Sequence, residues 1–321
     1  MIQRICSFAF SAFISFGAIA AEPLSIAVSR TPLCLPFYVA EHEGYFAAEG
    51  VQVRIEEVIG GHRAAKAVLD GVTDMGTIAE TGIMFNSFKR NDFAILASFV
   101  NSNDVIKLVT RAGSGITTIS DLAGKRVAIT TATSSQYFLD TQLILSGVDY
   151  KKVHIVNMQP EAMAQALLKE EVAAVAVWDP FPFEILASVP DAQIVSAPRF
   201  YTLTYNLVAS RKLLGKEHDD DIVKLLRALD RAQNFIAAEP GQAQAIMKSR
   251  LSLEQSLVNW IWPRYNYRLA LDQSLLTTLE NEARWARMNG HVQAASSPSY
   301  LDFIYAAPLR QASPNSVSIA K

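Results

Sequence analysis

Residues Pro36–Gly50 read PFYVAEHEGYFAAEG, and Val51-Gln52-Val53-Arg54-Ile55 follows directly. A short apolar helix runs into Gly44, an aromatic pair (Tyr45, Phe46), a second glycine at a helix-stop position, and then an alternating strand. From this strand–helix–strand opening the pattern continues outward. Between Leu24 and Ala197, short β runs alternate with helical ones, which predicts an α/β architecture with parallel strands. Candidate strands are Leu24–Val28, Val51–Val58, Met75–Ile78, Ala94–Phe99, Val105–Thr110, Arg126–Thr130, Val153–Asn157, Ala173–Trp178 and Ile194–Ala197. A further one, Tyr205–Ala209, precedes a mostly helical remainder in which Asp219–Ala237 and Leu271–Met288 have helical spacing. Ser134 or Ser135 is placed to cap a helix ending at Leu145, with Gly147 beyond it. The polar stretch Gln311–Lys321 reads as a frayed tail.

The first twenty residues have the form of a secretory signal. Arg4 supplies positive charge, Ile5 to Ala18 is apolar, and Ala18-Ile19-Ala20 is a small-x-small site, so cleavage is expected near Ala20/Ala21. The apolar run is shorter than the roughly 18–20 residues that cross a bilayer. Of the two cysteines, Cys6 leaves with the signal. Cys34 is left without an intrachain partner, which rules out a disulfide framework and points to a buried small hydrophobe. A net charge of −2 with no basic stripe argues against nucleic acid as a partner. His42, His62, His154, His218 and His291 lack metal-ligand spacing, and neither a nucleophile elbow nor a phosphate or dinucleotide loop is present. No metal, cofactor or catalytic residue is expected.

In open α/β sheets a ligand lies beyond the carboxyl ends of strands, near helix starts. That rule selects Thr31 after the first strand and Gly61-His62 after the second. There a tight turn and an anion-binding helix start are equally good readings. Glu80 and Thr81 follow the third strand; Glu80 is either a ligand contact or a first-turn carboxylate favoured by the helix dipole. Asn101 ends the fourth as a hinge residue or a neutral contact. Thr133, Ser134 and Ser135 lead into a capped helix, where hydroxyls and amides suit an oxyanion and simple capping also accounts for one of them. Trp178 and Asp179 end a later strand, and Tyr205 offers an apolar wall. For a plain oxyanion, Arg30, Arg63 and Arg199 are the placed cations.

With DGVTDMGT, ISDLAGKRVAIT, TSSQYFLDTQLILSGV and VWDP downstream, the stretch from about Leu24 to about Ser210 resembles the periplasmic solute-binding proteins of the nitrate/sulfonate/taurine importer class. The resemblance implies a two-lobed periplasmic-binding-protein fold of type II kind. Lobe 1 would be discontinuous (residues 21–103 and 204–310), lobe 2 would be residues 104–203, and the flexible tail 311–321. The crossings fall near Asn101–Lys107 and Pro198–Tyr205. It further implies a monomeric, non-enzymatic periplasmic protein that captures a small polar solute by hinge closure and presents it to an inner-membrane ABC permease. A sensor receptor is the alternative partner. In the class, the Trp-acid-Pro element borders the cleft, here Trp178-Asp179-Pro180. On this reading Gly61–His62 and Thr133–Ser135 take the acidic end of a solute, Thr31 and Asn101 give neutral hydrogen bonds, and Glu80 and Asp179 receive an amine or ring N–H. A zwitterion such as an aminosulfonate, or a nitrogen-rich pyrimidine, satisfies both sets. The rival is an enzyme resembling the thiamine pyrimidine synthase, whose cysteine-rich motif is absent from this sequence.

Overall fold

The computed structural model describes residues 22–215 and 218–319; the expected signal segment lies outside them. The chain builds two five-stranded sheets. The first contains β1 (Leu24–Ser29), β2 (Val53–Val58), β3 (Met75–Ala79), β4 (Phe93–Ser102) and, after an excursion, β10 (Leu203–Ser210). The second contains β5 (Ile106–Arg111), β6 (Arg126–Ile129), β7 (His154–Asn157), β8 (Ala174–Trp178) and β9 (Ala192–Val195).

Their strand orders, β2-β1-β3-β10-β4 and β7-β6-β8-β5-β9, are the same pattern written twice. In each sheet the first strands are parallel, and the strand that enters from the other sheet runs antiparallel to both neighbours, β10 in one and β5 in the other. The expectation of parallel strands is therefore corrected to two mixed sheets. The reason is topological: a strand arriving by a crossing, with no helix to return it to the same end, enters the sheet reversed. The chain passes between sheets at residues 103–105 and 196–202.

The central strands β1, β3 and β8 are covered on both faces and read as mostly apolar runs, while the edge strands β2 and β7 keep exposed residues. In the second sheet, Leu108, Val127, Ile129, Ala174 and Ala176 join the main core on one face. The alternate residues Val109, Ala128, Val175 and Val177 pack on the other face with Met163 and Leu167 of the helix Pro160–Leu168 and Ile185 of Phe181–Ser188.

The C-terminal helices pack back on the first sheet. In Asp219–Ala238, Gln233 interrupts an apolar stripe and is satisfied by neighbouring backbone: its Nε2 donates to the Phe99 carbonyl at 2.9 Å and its Oε1 accepts from Leu269 N–H. They also reach the second sheet's layer, which the sequence did not indicate. Trp285 of Gln273–Met288 meets Tyr137 edge to face at 4.9 Å between ring centroids, and His291 Nε2 lies 2.8 Å from Asp140 Oδ2. The expected frayed tail is pinned through Ile319. Leu271 N–H donates to the Ser316 carbonyl at 2.7 Å, Ser318 N–H donates back to Leu271 at 2.9 Å, and Leu309 and Ile319 are buried. No helix among the described residues is long and apolar enough to cross a membrane.

Candidate functional site

The ends of β1, β2 and β3 face the ends of β6 and β8 across a cleft that encloses a cavity of about 50 Å³. On the first sheet's side, β1 runs into Arg30-Thr31, and Pro32 opens a short 3-10 turn, a position where its missing N–H costs nothing. Thr31 is buried and its Oγ1 has no hydrogen-bond partner. After β2, Gly60 takes a left-handed φ of +82°, which glycine adopts without strain. Gly61 is required for a different reason: a Cβ there would stand 2.6 Å from Tyr205 Oη and 2.9 Å from Ile78 Cα. That Tyr205 hydroxyl donates to Ser29 Oγ at 2.7 Å, so the turn, β1 and β10 are fastened together. His62 follows in the first turn of the helix Gly61–Leu69. Burial, then the Arg63 charge, pushes its pKa below the usual histidine value, which favours a neutral ring; its Nε2 is buried without a partner.

The opposite wall begins with Ala132, held at a left-handed φ of 57°. Thr133 is the N-cap of Ser134–Leu145 and accepts from Ser135 N–H at 3.2 Å, so the cap falls one residue earlier than the sequence reading placed it. Trp178 closes β8, its ring set edge to face with His62 at 6.5 Å. Asp179 comes next, fully buried. Its Oδ2 accepts from Tyr265 Oη at 3.1 Å and lies 3.8 Å from Lys107 Nζ. Its Oδ1 has no partner. Burial raises this carboxyl to about 6, against the opposing pull of Lys107 and the Tyr265 hydrogen bond.

The structure thus brings Thr31, Gly61, His62, Thr133, Ser134, Trp178, Asp179 and Tyr205 to one cavity. Four other candidates go elsewhere. Glu80 is taken up inside the protein: Oε1 accepts from the Tyr201 hydroxyl and Oε2 from Thr204 N–H at 2.7 Å and Thr204 Oγ1 at 3.2 Å. Thr81 Oγ1 donates to Glu282 Oε1 at 2.6 Å, and Ser135 Oγ donates to the Ala176 carbonyl. Asn101 exchanges two backbone hydrogen bonds of 3.0 Å with Asn266. Of the three arginines, Arg30 lines the cavity, Arg63 spans its outside and Arg199 is not on its wall. Val105, Phe181 and Leu203 also line the cavity and had no marker in the sequence beyond being apolar. Tyr265, which orients Asp179 from 86 residues away, had none. Among the described residues no group of three or more His, Cys, Asp or Glu is placed to hold a metal ion.

Two sheets of matching strand order, joined by two crossings and enclosing a partly polar cavity at their strand ends, define a bilobal α/β protein of the periplasmic-binding-protein fold. The comparisons agree. The alkanesulfonate-binding protein SsuA from Xanthomonas axonopodis pv. citri, solved bound to MOPS, superposes with a TM-score of 0.77 at 16% identity, over 90% of this chain and 100% of that one. The desulfurization enzyme DSZB superposes at 0.67 and 15% identity, over 91% and 99%. The taurine-binding periplasmic protein of Escherichia coli (strain K12) is 23% identical over 235 residues, 70% of this chain and 71% of that one. The chain belongs to the NMT1/THI5-like family, whose model matches residues 31–243.

Proposed function

We propose that this protein is a periplasmic solute-binding protein that captures a small zwitterion in the cleft by hinge closure and hands it to an inner-membrane importer. The observation that carries the reading is a trio of buried, unpartnered polar atoms that belong to residues lining the cavity, Thr31 Oγ1, His62 Nε2 and Asp179 Oδ1. Buried polar groups are ordinarily paired, and leaving one unpaired costs about 1–3 kcal/mol. Three at one place, from both sides of the cleft, favour a ligand that pairs them. Asp179 Oδ1 is an acceptor for an amine or ring N–H. The helix start at Gly61–His62 and the hydroxyl of Ser134 suit an oxyanion, whereas the Thr133 hydroxyl already donates to the Thr130 carbonyl at 2.6 Å. An aminosulfonate carries both ends, and the taurine-binding relative is consistent with that class.

Closure has its own support. The cavity lies between the strand ends of the two sheets, so a solute held in it touches both. Across its outside, Arg63 Nη1 reaches Glu161 Oε1 at 2.6 Å and Nη2 donates to Gln159 Oε1 at 3.2 Å, tying the helix Gly61–Leu69 to the helix Pro160–Leu168. Contacts made only when shut are what bias such an equilibrium. Against an enzymatic reading stands Cys34, whose thiol is buried outside the cavity wall and pushed up to about 12 by that burial.

A thermal-shift panel on the chain from Ala21 tests the reading, using taurine, alkanesulfonates, nitrate, bicarbonate, thiamine-type pyrimidines and amino acids. A zwitterion or N–H-bearing solute at 100 times its Kd should add about 2.7 kcal/mol. Silence across the panel from ligand-free protein, or a shift with nitrate alone, would contradict the reading.

A further inference from the structure

A second and larger cavity, about 320 Å³, abuts the first and shares Val105 and Leu203 with it. Its walls are the two crossing segments, the helix Ser134–Leu145 and the stretch from Trp260 to Arg264. Asp104 stands at its centre of charge. Its Oδ2 accepts from Arg264 Nε at 2.7 Å and lies 3.1 Å from Arg199 Nη2, while its Oδ1 lies 3.2 Å from Lys107 Nζ. One carboxylate therefore holds three cations. The other carboxylate near them is Asp179, 3.8 Å from Lys107, so the cluster keeps a surplus of positive charge. Arg199 has 61% of its side chain exposed, so an incoming group reaches it from solvent.

Two polar atoms on this wall also lack partners, Gln142 Oε1 and Trp260 Nε1. Gln142 is 1% exposed, and its Nε2 donates to the Pro198 carbonyl at 2.8 Å, which fixes Oε1 as the unused acceptor. An acceptor in this position needs an O–H or N–H from its occupant. A bare oxyanion would set its own lone pairs against it.

We propose that this cavity is a second binding site, for a small hydroxy- or amino-carboxylate, with the carboxylate on Arg199 and Lys107 and the hydroxyl or amine on Gln142 Oε1. Trp260 Nε1 supplies a further donor. The site is coupled to the cleft through Lys107, which faces both Asp104 and Asp179. A carboxylate that draws on Lys107 leaves less positive charge beside Asp179 and moves that acid toward its neutral form. Occupation of the second site therefore weakens the hold on a cation in the first, and the effect is reciprocal. The coupling rests on the cleft reading above; the site itself does not.

Calorimetric titration with glycerate and with sulfate tests the site on wild-type protein, Arg199→Gln and His62→Ala. Glycerate is expected to bind wild type and His62→Ala alike, and roughly tenfold more weakly to Arg199→Gln. Sulfate, which has charge and no donor, should bind more weakly than glycerate. No glycerate binding, equal binding by Arg199→Gln, loss in His62→Ala, or sulfate binding as tightly as glycerate would each overturn the assignment. For the coupling, the NMR titration midpoint of the Asp179 carboxyl carbon should rise when glycerate is present. An unmoved midpoint overturns the coupling whether or not the cleft ligand has been found.

Discussion

Asp179 and Glu80 follow equivalent strands of the two sheets, β8 and β3, each third in the order counted from the parallel edge. Both side chains are fully buried, and burial pushes both carboxyls up from their ordinary values. They differ in what meets their oxygens. Glu80 has a protein donor on each, with Tyr201 on one side and Thr204 on the other, and shares its surroundings with Glu282, another acid raised by burial. Asp179, a residue of the cleft wall, has a donor on one oxygen only, and the other is buried without a partner. Position in the fold is the same for both. The hydrogen-bond accounting separates an acid that holds the structure together from one left open to a ligand.

The largest expected effect is on binding by Asp179→Asn. Replacing the charged acceptor by a neutral amide should weaken an amine-bearing solute by about 3 kcal/mol, roughly 100-fold, with the melting temperature little changed. Calorimetry against the panel solute bound most tightly checks it; unchanged affinity would break the contrast. Glu80→Ala should show the opposite profile. It leaves Thr204 N–H and the Tyr201 hydroxyl unpaired in the interior, a loss of about 2 kcal/mol or a few degrees in Tm, while solute affinity at moderate temperature persists. Thermal denaturation with a parallel titration decides between the two.

The pH dependence follows from the same acid. Asp179 is ionised above about 6 in the unliganded protein. Below that it must release a proton to accept a cation, so affinity should fall by roughly tenfold per pH unit, and Asp179→Asn should flatten the profile. The raised folded-state value also sets a sign for stability. The folded protein holds this proton more tightly than the unfolded chain, so the group's contribution falls as pH rises from 3.8 through about 6. The smallest effect belongs to Arg63→Ala. The Arg63–Glu161 pair is more than one-third exposed on both sides, so its removal should cost less than about 1 kcal/mol and change affinity only a few-fold. A large loss there would mean that the outer tie, and not the buried trio, dominates closure.

What the sequence made legible was local. The ten strands lie within a few residues of their predicted spans because alternation and turn residues act over short distances, as with Gly44 and Gly50, both at positive φ. The loops of the cleft were legible too, since strand ends and helix starts show in the pattern. Which residue of each loop turns inward was not. Glu80 turns toward Thr204, 124 residues later, and Thr81 toward Glu282, 201 residues later; no spacing rule connects such pairs. The reversed direction of β5 and β10 depends on where the chain crosses between sheets, and the pinned tail depends on a pairing of Leu271 with Val317. Each is long-range, and long-range pairing leaves no periodic trace.

The most direct test of the account is a side-by-side calorimetric titration of wild type, Asp179→Asn and Glu80→Gln with taurine and with the strongest other solute of the panel. If Asp179 is the acid open to a solute, wild type and Glu80→Gln bind at least one of these solutes clearly, and Asp179→Asn loses that binding at unchanged Tm. Undiminished binding by Asp179→Asn, or loss confined to Glu80→Gln, would contradict it.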